Sequence, residues 1–283
     1  MADPIYNVFH YCDLDKFQNM LKSKVLWLCD LTDSNDDQEV SRTFDTLWDG
    51  VKGRLQSTDL DKIMLDEAIK LIDQQYQIEL KTDPPYGICF CKEEDLSGQW
   101  KEYGDSTKGV SLGFDINWFI KNGIKQQMPH PSSIQSNAIG CDGVIYHSEE
   151  FEKQMAQLCY DALKKMGINA WLTLIRPTFK HYSGFVKNPT FEAEQEIRIV
   201  YFPIEEIDFT QKDVPVSDLK IYGKKHYEIP WVDNDSMALK SICIGHNCSL
   251  TREDILGLLR QNGIKTDEIE IKDSLCSYRI REQ

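Results

Sequence analysis

One segment places charged residues at alternate positions of an otherwise apolar run: Asn188-Pro-Thr-Phe-Glu-Ala-Glu-Gln-Glu-Ile-Arg-Ile-Val-Tyr-Phe202. Because successive side chains of a β-strand point to opposite faces, Glu194, Glu196 and Arg198 are predicted to share one face of a strand. The two glutamates would lie roughly 6.5–7 Å apart at Cα and face a cleft. The alternative is an edge strand whose solvent-exposed face carries salt bridges.

The composition is that of a globular protein. The chain has 283 residues, of which 41% are hydrophobic and 11% aromatic, enough to bury a sizeable core. Its formal net charge of −14 argues against a non-specific electrostatic grip on nucleic acid or on an anionic membrane. No apolar run approaches the roughly 20 residues that span a bilayer, and the first residues lack a secretory signal pattern. We therefore expect a cytoplasmic protein without a membrane partner.

The cysteines and histidines do not predict a metal site. The nine cysteines have no regular spacing, so we expect reduced thiols and no disulfide framework. Cys89-Phe-Cys91 is a close pair in an apolar run but lacks a matching second pair, and buried thiols on a strand are the preferred interpretation. The six histidines show no metal-ligand spacing.

The order of the predicted elements indicates an α+β fold with a mixed or antiparallel sheet. We expect a single domain over residues 1–283, with a helical insertion at about 38–81 and a helical segment at about 149–187. The second segment begins with the capping residue Ser148 and carries an apolar stripe that includes Phe151, Met155 and Leu158. Neither a Rossmann fingerprint nor a P-loop occurs, so a nucleotide would have to bind in another way.

Two further patterns are candidates for a site. A short helix would align Trp100 and Tyr103, three residues apart, on one side, although plain core packing is the more common reason for such a pair. The segment from Asp30 to Asp37 is a polar loop whose carboxylates and carboxamides could line a site.

The motifs together resemble a widespread bacterial family of unknown function, over nearly the whole chain. They follow one another in the order Phe9-His-Tyr11, Asn35-Asp36, Phe90-Cys91, Trp100-x-x-Tyr103, Lys108-Gly-Val-x-Leu-Gly-Phe-Asp115, Phe191-x-x-Glu194-x-Glu196-x-Arg198, Ile244-Gly-x-Asn-Cys248 and Tyr278-Arg279. That family in turn is distantly similar to the ADP-ribosyltransferases, whose NAD pocket combines an early His or Arg strand, a middle Ser/Thr or Tyr motif and a late Glu-x-Glu strand. The resemblance implies a split β-sandwich with helical insertions.

The resemblance also implies which residues bind NAD. His10 would hydrogen-bond the adenosine ribose or the backbone on the nicotinamide side, unless it is simply a satisfied core histidine. Tyr11 and Tyr103 would line the nicotinamide pocket. The chain lacks the Ser-Thr-Ser triplet of the transferases, so Trp100 would have to help supply the stacking surface. Asn35 and Asp36, in the polar loop, are assigned to the same binding site.

The late strand carries the chemistry in this interpretation. Glu196 would hold the nicotinamide ribose 2′-hydroxyl and stabilise the oxocarbenium charge that develops when the N-glycosidic bond breaks. Glu194 would orient or deprotonate the acceptor. Arg198 would bind the pyrophosphate or, as we prefer, neutralise the two carboxylates.

Three functions stay open on the sequence. The first is an NAD-consuming ADP-ribosyltransferase or NAD glycohydrolase, of the kind that serves as a toxin or defence effector. It would use NAD as substrate, no metal, and a protein, nucleic-acid or small-molecule acceptor. The second is a nuclease or other hydrolase that uses His10, Glu196 and Arg198 without NAD. The third is a catalytically silent module that recognises a nucleotide or a peptide.

Overall fold

A computed structural model describes residues 7–34, 38, 40–82, 84–122, 124, 138–202, 217–221 and 224–277. The predicted site residues Asn35 and Asp36, and the closing motif Tyr278-Arg279, lie outside the described residues.

Twelve strands and seven α-helices are described. The strands are β1 (Asn7–Cys12), β2 (Val25–Asp30), β3 (Tyr86–Cys91), β4 (Val110–Asp115), β5 (Ala138–Gly143), β6 (Ile145–Tyr146), β7 (Val186–Lys187), β8 (Glu196–Phe202), β9 (Ser217–Ile221), β10 (Lys224–Pro230), β11 (Leu239–Ile244) and β12 (Glu270–Asp273). The helices are α1 (Leu14–Ser23), α2 (Asp49–Leu55), α3 (Lys62–Thr82), α4 (Ser97–Glu102), α5 (Ile116–Lys121), α6 (Glu149–Ser183) and α7 (Arg252–Gln261). A π-helical turn occupies Thr43–Trp48, and 3₁₀ turns occupy Leu31–Asp33, Asp105–Thr107 and Pro189–Glu194.

The predicted fold class is confirmed: the protein is α+β with a largely antiparallel, open sheet. Strands follow the order β12-β11-β4-β1-β3-β2-β10-β9, with β8 paired to β3 and β5. Within this sheet only the pair β11–β12 is parallel. Strands β6 and β7 form a separate parallel pair. In the described part of the chain, no helix has the length and apolar character needed to cross a membrane.

The sheet divides at β3. One edge of β3 pairs with β8 from Tyr86 to Cys91. The opposite edge is shared, because β1 pairs with it at Cys91 whereas β2 pairs with it at Tyr86 and Gly87. Between these two contacts β1 and β2 diverge, and the backbone around Cys89 faces the opening.

Strand β8 is central, so the alternative of a solvent-exposed edge strand is wrong. All seven of its residues are buried, including Glu196 and Arg198. The prediction that Glu194 lies on this strand is also wrong. Glu194 ends a 3₁₀ turn, and Gln195 then takes a left-handed conformation with φ 47° before β8 begins. That reversal ends the alternation of faces that the Glu-x-Glu pattern suggested.

The helices pack largely against each other. Ser148 caps α6 as predicted, since its hydroxyl accepts a hydrogen bond from the Phe151 amide. The helix continues to Ser183 with a break at Gly167, where φ is 71° and ψ is −178°; Pro177 lies inside the second half. Side chains from α2, α3 and α6 form a hydrophobic cluster of their own beside the sheet.

The buried stripe of α6 gives a stability prediction. Met155 is 3% exposed within the helical cluster, whereas Leu158, three residues later, is 36% exposed. Met155→Ala should therefore lower the free energy of unfolding by about 2–5 kcal/mol. The same change at Leu158 should cost less than about 1 kcal/mol, because it leaves a smaller cavity or none. Urea denaturation of both variants checks this, and equal losses would contradict the packing described.

Candidate functional site

A cavity of about 650 Å³ opens where β1 and β2 diverge. Its walls come from both of these strands, the middle of β3, helix α1 and the segment that follows α4. The lining residues are His10, Tyr11, Asp13, Lys16, Asn19, Met20, Ser23, Val25, Trp27, Cys29, Gly87, Ile88, Cys89, Glu102, Tyr103 and Asp105. This volume lies within the range of small-molecule sites.

His10 bridges the division of the sheet. Its Nδ1 lies 3.0 Å from the Cys89 carbonyl oxygen. A carbonyl only accepts hydrogen bonds, so Nδ1 carries the hydrogen and Nε2 is left as an acceptor. Burial lowers the pKa of His10, against the opposing effect of the bond to Cys89. His10 is thus a neutral imidazole at pH 7, held by one nitrogen.

Tyr11 and Trp100 are structural. The Tyr11 hydroxyl donates to the Glu93 carbonyl and accepts from the Leu96 amide, both at 2.8 Å, and so holds the loop after β3. The Trp100 ring packs edge-on against Tyr11 with centroids 4.9 Å apart. Trp100 is 0% exposed, and its Nε1 donates to Asp95 at 2.5 Å. Tyr11 lines the cavity, whereas Trp100 does not.

Tyr103 connects the cavity to the carboxylates. It lines the cavity, and its hydroxyl donates to Glu194 Oε1 at 3.2 Å. The Glu194 side chain is 17% exposed. Glu194 is therefore linked to the cavity through a lining residue and is partly accessible to solvent.

Behind Tyr103 lies a charge tetrad of Lys187, Glu194, Glu196 and Arg198. Lys187 Nζ contacts Glu194 Oε2 at 2.5 Å and Glu196 Oε2 at 2.7 Å. Arg198 donates two hydrogen bonds to the Glu196 carboxylate, from Nε at 2.5 Å and from Nη2 at 3.0 Å. Its Nη1 donates to the Gly184 carbonyl at 3.0 Å. With two cations and two carboxylates, the tetrad is neutral in sum.

The tetrad fixes the ionisation of Glu196. The residue is 4% exposed, and burial alone would raise its pKa; Arg198 and then Lys187 outweigh that effect and lower the pKa to about 2. Arg198 is 0% exposed. Arg198 pairs with Glu196, whereas Lys187 bridges Glu194 and Glu196, and the buried guanidinium leaves no surface for a pyrophosphate.

The sequence analysis missed Lys187. It lies on β7, 2% exposed, between the long helix and the 3₁₀ turn. The available signal was a lysine at the end of the apolar run Gly184-Phe-Val-Lys187, followed within nine residues by three glutamates, at 192, 194 and 196. Burying an ammonium requires a paired carboxylate, so the glutamates could have been assigned to it.

Two residues of the cavity wall were not predicted, and the expectation of a buried thiol is wrong for Cys89, although it holds for Cys91. Cys89 is exposed to the cavity, and its thiol hydrogen-bonds Glu196, which helps to lower the pKa of that carboxyl group. Cys89 thus contacts both the cavity and the tetrad. Trp27 is 38% exposed, and its ring packs on His226 with centroids 4.9 Å apart.

A strained turn forms the rim of the cavity beside Tyr103. Asp105, Ser106 and Thr107 all have positive φ, at 47°, 53° and 70°. Side chains, and a β-branched one above all, rarely adopt this conformation. Asn247 holds the turn: its amide donates to the Thr107 carbonyl at 3.0 Å and its Nδ2 to Thr107 Oγ1 at 2.6 Å. At Gly245 a Cβ would lie 2.2 Å from the same carbonyl oxygen.

The structure thus brings together some of the predicted residues. His10, Tyr11 and Tyr103 line one cavity, with Glu194 bonded to Tyr103. Glu196 lies behind Cys89, whereas Trp100 and Arg198 are in the core. Among the described residues, no group of three or more His, Cys, Asp and Glu side chains has a geometry that could hold a metal ion.

The charge tetrad makes the free energy of unfolding depend on pH in the acidic range. The pKa of Glu196 is about 2 in the folded protein and 4.5 ordinarily, so its contribution is complete above about pH 4.5 and is lost as the pH falls towards 2. Glu196→Gln should destabilise the protein at pH 6 by about 3–5 kcal/mol, because Arg198 stays buried with its charge uncompensated. At pH 3 the difference in free energy of unfolding between wild type and variant should be smaller by about 2 kcal/mol. Urea denaturation at both pH values measures it, with the exposed Glu192→Gln as control; an unchanged gap would contradict the assignment.

The strained turn makes a local prediction. Asn247→Ala removes the side-chain bond to Thr107 and should cost about 1–3 kcal/mol. Amide hydrogen exchange should accelerate in residues 103–109, because the left-handed conformation loses its support. Asn262→Ala is the control: Asn262 Nδ2 donates to the Leu258 carbonyl at the end of α7. That variant should lose stability without faster exchange in 103–109, and equal exchange in the two variants would contradict the role of Asn247.

Comparison with known proteins bears on part of this site. No curated protein and no solved structure matched the chain. Residues 99–199 match a family described as "Protein of unknown function (DUF2971)". The matched stretch includes Trp100, Tyr103 and all four residues of the charge tetrad, but neither His10 nor Cys89. The resemblance to a family of unknown function is thereby confirmed: residues 99–199 carry the DUF2971 family pattern.

Proposed function

We propose that this protein cleaves the N-glycosidic bond of NAD, either as a glycohydrolase or as an ADP-ribosyltransferase. The observation that carries the proposal is the division of the sheet at β3, which opens a cavity lined by His10 and Tyr103 with an anionic side chain, Glu194, bonded to that tyrosine. The cavity suits the nicotinamide riboside half of the dinucleotide.

The chemistry requires a fixed negative charge. As the bond from C1′ to the nicotinamide nitrogen breaks, its electron pair passes to the pyridinium nitrogen and leaves neutral nicotinamide. The ribose gains oxocarbenium character, which a carboxylate in a water-poor site stabilises. Water or an acceptor hydroxyl or amine then attacks C1′ and gives up a proton, so hydrolysis yields ADP-ribose, nicotinamide and H⁺.

The geometry favours exchanging the roles that the resemblance implied for the two glutamates. Glu194 is partly exposed and reaches the cavity wall through Tyr103, so it is the candidate to contact the ribose. Glu196 is 4% exposed and bonded to both cations of the tetrad. It acts as a positioning residue, because it holds the Lys187 ammonium against Glu194.

His10 has a role compatible with the same reaction. Its Nε2 is an acceptor, since Nδ1 donates to the Cys89 carbonyl. An acceptor in this wall can bind a ribose hydroxyl or the carboxamide of nicotinamide. A neutral imidazole adds no positive charge that would oppose the developing oxocarbenium ion.

A second candidate is a catalytically silent recognition module with the same cavity. One observation favours it: the tetrad is neutral, and Glu196 has both carboxylate oxygens occupied by cations. A network satisfied in this way can serve folding alone. In such a module NAD or another nucleotide would bind without being cleaved.

The proposed setting of the enzyme is the cytoplasm. All nine cysteines lie in the described residues and none forms a disulfide, which supports a reducing compartment such as the cytoplasm. The acceptor would be a protein, a nucleic acid or a small molecule, and a toxin or defence effector would fit an enzyme that consumes NAD.

Release of nicotinamide from NAD tests the function. Purified wild type should release nicotinamide, measured by chromatography, and Glu194→Gln should lower turnover by about 10²–10³-fold through loss of the charge near the ribose. Glu192→Gln, an exposed glutamate on the same 3₁₀ turn, is the matched control and should keep wild-type turnover. Folding of each variant is checked by circular dichroism.

Two outcomes would overturn the enzymatic proposal. One is folded wild type that releases no nicotinamide across pH 5–9. The other is Glu194→Gln with undiminished turnover. Binding of NAD without cleavage in the first case would establish the recognition module instead.

A further inference from the structure

We propose that the cavity between β1 and β2 selects its ligand by positive charge and takes an N-substituted pyridinium ring. This inference rests on the proposed function for the identity of the substrate, since the nicotinamide ring of oxidised NAD is such a cation. It adds the basis of recognition and the exclusion of reduced and anionic analogues.

The first support is the charge of the cavity lining. Three carboxylates line the cavity, Asp13, Glu102 and Asp105, against a single ammonium from Lys16. That ammonium is 3.2 Å from Asp13, so these two groups offset each other. Glu102 pairs at 3.5 Å with Lys101, an exposed lysine outside the cavity lining. The lining is therefore anionic, and the neutral tetrad behind it does not alter the sum.

The second support is an aromatic surface in the same wall. Large apolar side chains are normally buried, yet the Trp27 indole is 38% exposed and lines the cavity. The buried His226 ring, on the neighbouring strand β10, packs against it. An indole face attracts cations through its quadrupole, and it stacks on planar rings as well. A planar aromatic cation can stack on the indole and be attracted by the carboxylates at the same time.

The third support is the strained turn. Asp105 is the first of three consecutive residues with positive φ, and the turn is clamped by Asn247. Strain of this kind persists only where the surrounding structure imposes it, and it concentrates at binding sites. Here it fixes an exposed carboxylate at the rim of the cavity.

His10 is consistent with the same ligand. Its pKa is lowered by burial, so the imidazole brings no positive charge to the wall. The remaining acceptor nitrogen suits the carboxamide N–H of a nicotinamide ring.

Three ligands of nearly equal size distinguish the effect of ligand charge on affinity from the effect of ligand shape. N1-methylnicotinamide is a cation, nicotinamide is neutral and nicotinate is an anion. Isothermal titration calorimetry with the full-length protein at low salt should give affinities in that order, with the cation bound at least about tenfold more tightly than nicotinamide. The difference should fall as salt is added, because the carboxylates at the rim are exposed.

Variants assign the effect to named residues. Asp105→Asn removes the charge but keeps a residue that tolerates positive φ, so the turn should persist. It should lower the preference for the cation over nicotinamide by at least about threefold, and Trp27→Leu should weaken all aromatic ligands. Asp235→Asn, the same change at an exposed aspartate outside the cavity, is the control and should leave the affinities unchanged.

The outcomes keep this inference distinct from the proposed function. Equal or tighter binding of nicotinate, no detectable binding of the cation at about 10 mM, or a preference unchanged in Asp105→Asn would each overturn the charge selection. NAD cleavage without a cation preference would overturn the charge selection alone. A cation preference without NAD cleavage would overturn only the enzymatic proposal.

Discussion

The buried contact between Arg198 and Glu196 is the interaction on which this architecture depends. Both groups lie on β8, a wholly buried strand paired with β3 and β5, where an uncompensated charge would be costly. Arg198 already offsets the charge of Glu196, and Lys187, which also bonds Glu196, adds a second buried cation. Lys187 in turn requires Glu194. Each member therefore fixes the position of the next, from the sheet core outward to Tyr103 at the cavity wall.

The division of the sheet gives this network access to a ligand. Had β1 paired with β3 along its full length, the backbone near Cys89 would be covered and no cavity would exist. Instead β1 and β2 each take one end of β3, and His10 satisfies the carbonyl left between them. The same histidine thus meets a structural need with one nitrogen and presents the other to the cavity. A substitution of His10 would therefore affect both the folding of the sheet and the candidate binding site.

Local patterns were enough to predict part of the fold. The Ser148 cap and the apolar stripe of α6 follow from short-range physics, and so does the strand character of residues 196–202. The position of Glu194 did not follow, because the left-handed conformation of Gln195 breaks the alternation without a glycine to signal it. The strained turn at Asp105–Thr107 is hidden for the same reason: its support comes from Gly245 and Asn247, far along the chain.

The site was harder to predict than the fold, because its contacts are non-local. Tyr103 was identified as a candidate, but its bond to Glu194 spans ninety-one residues. Trp100 shares its motif and belongs to the core, where its indole nitrogen bonds Asp95. Spacing places both residues on one helix face and cannot say which of them reaches the opening. Trp27 carries no motif at all, and only its exposure in the folded chain draws attention to it.

The neutrality of the tetrad constrains how this protein can evolve. Losing Arg198 alone strands Glu196 with one cation for two carboxylates, and losing Glu196 alone strands a guanidinium without exposed surface. A matched apolar replacement of both would be tolerated far better than either step. A change from the charged pair to an apolar pair must pass through a single substitution that destabilises the fold. A lineage that has acquired the tetrad therefore keeps it for the sake of folding, whether or not selection for the cavity continues.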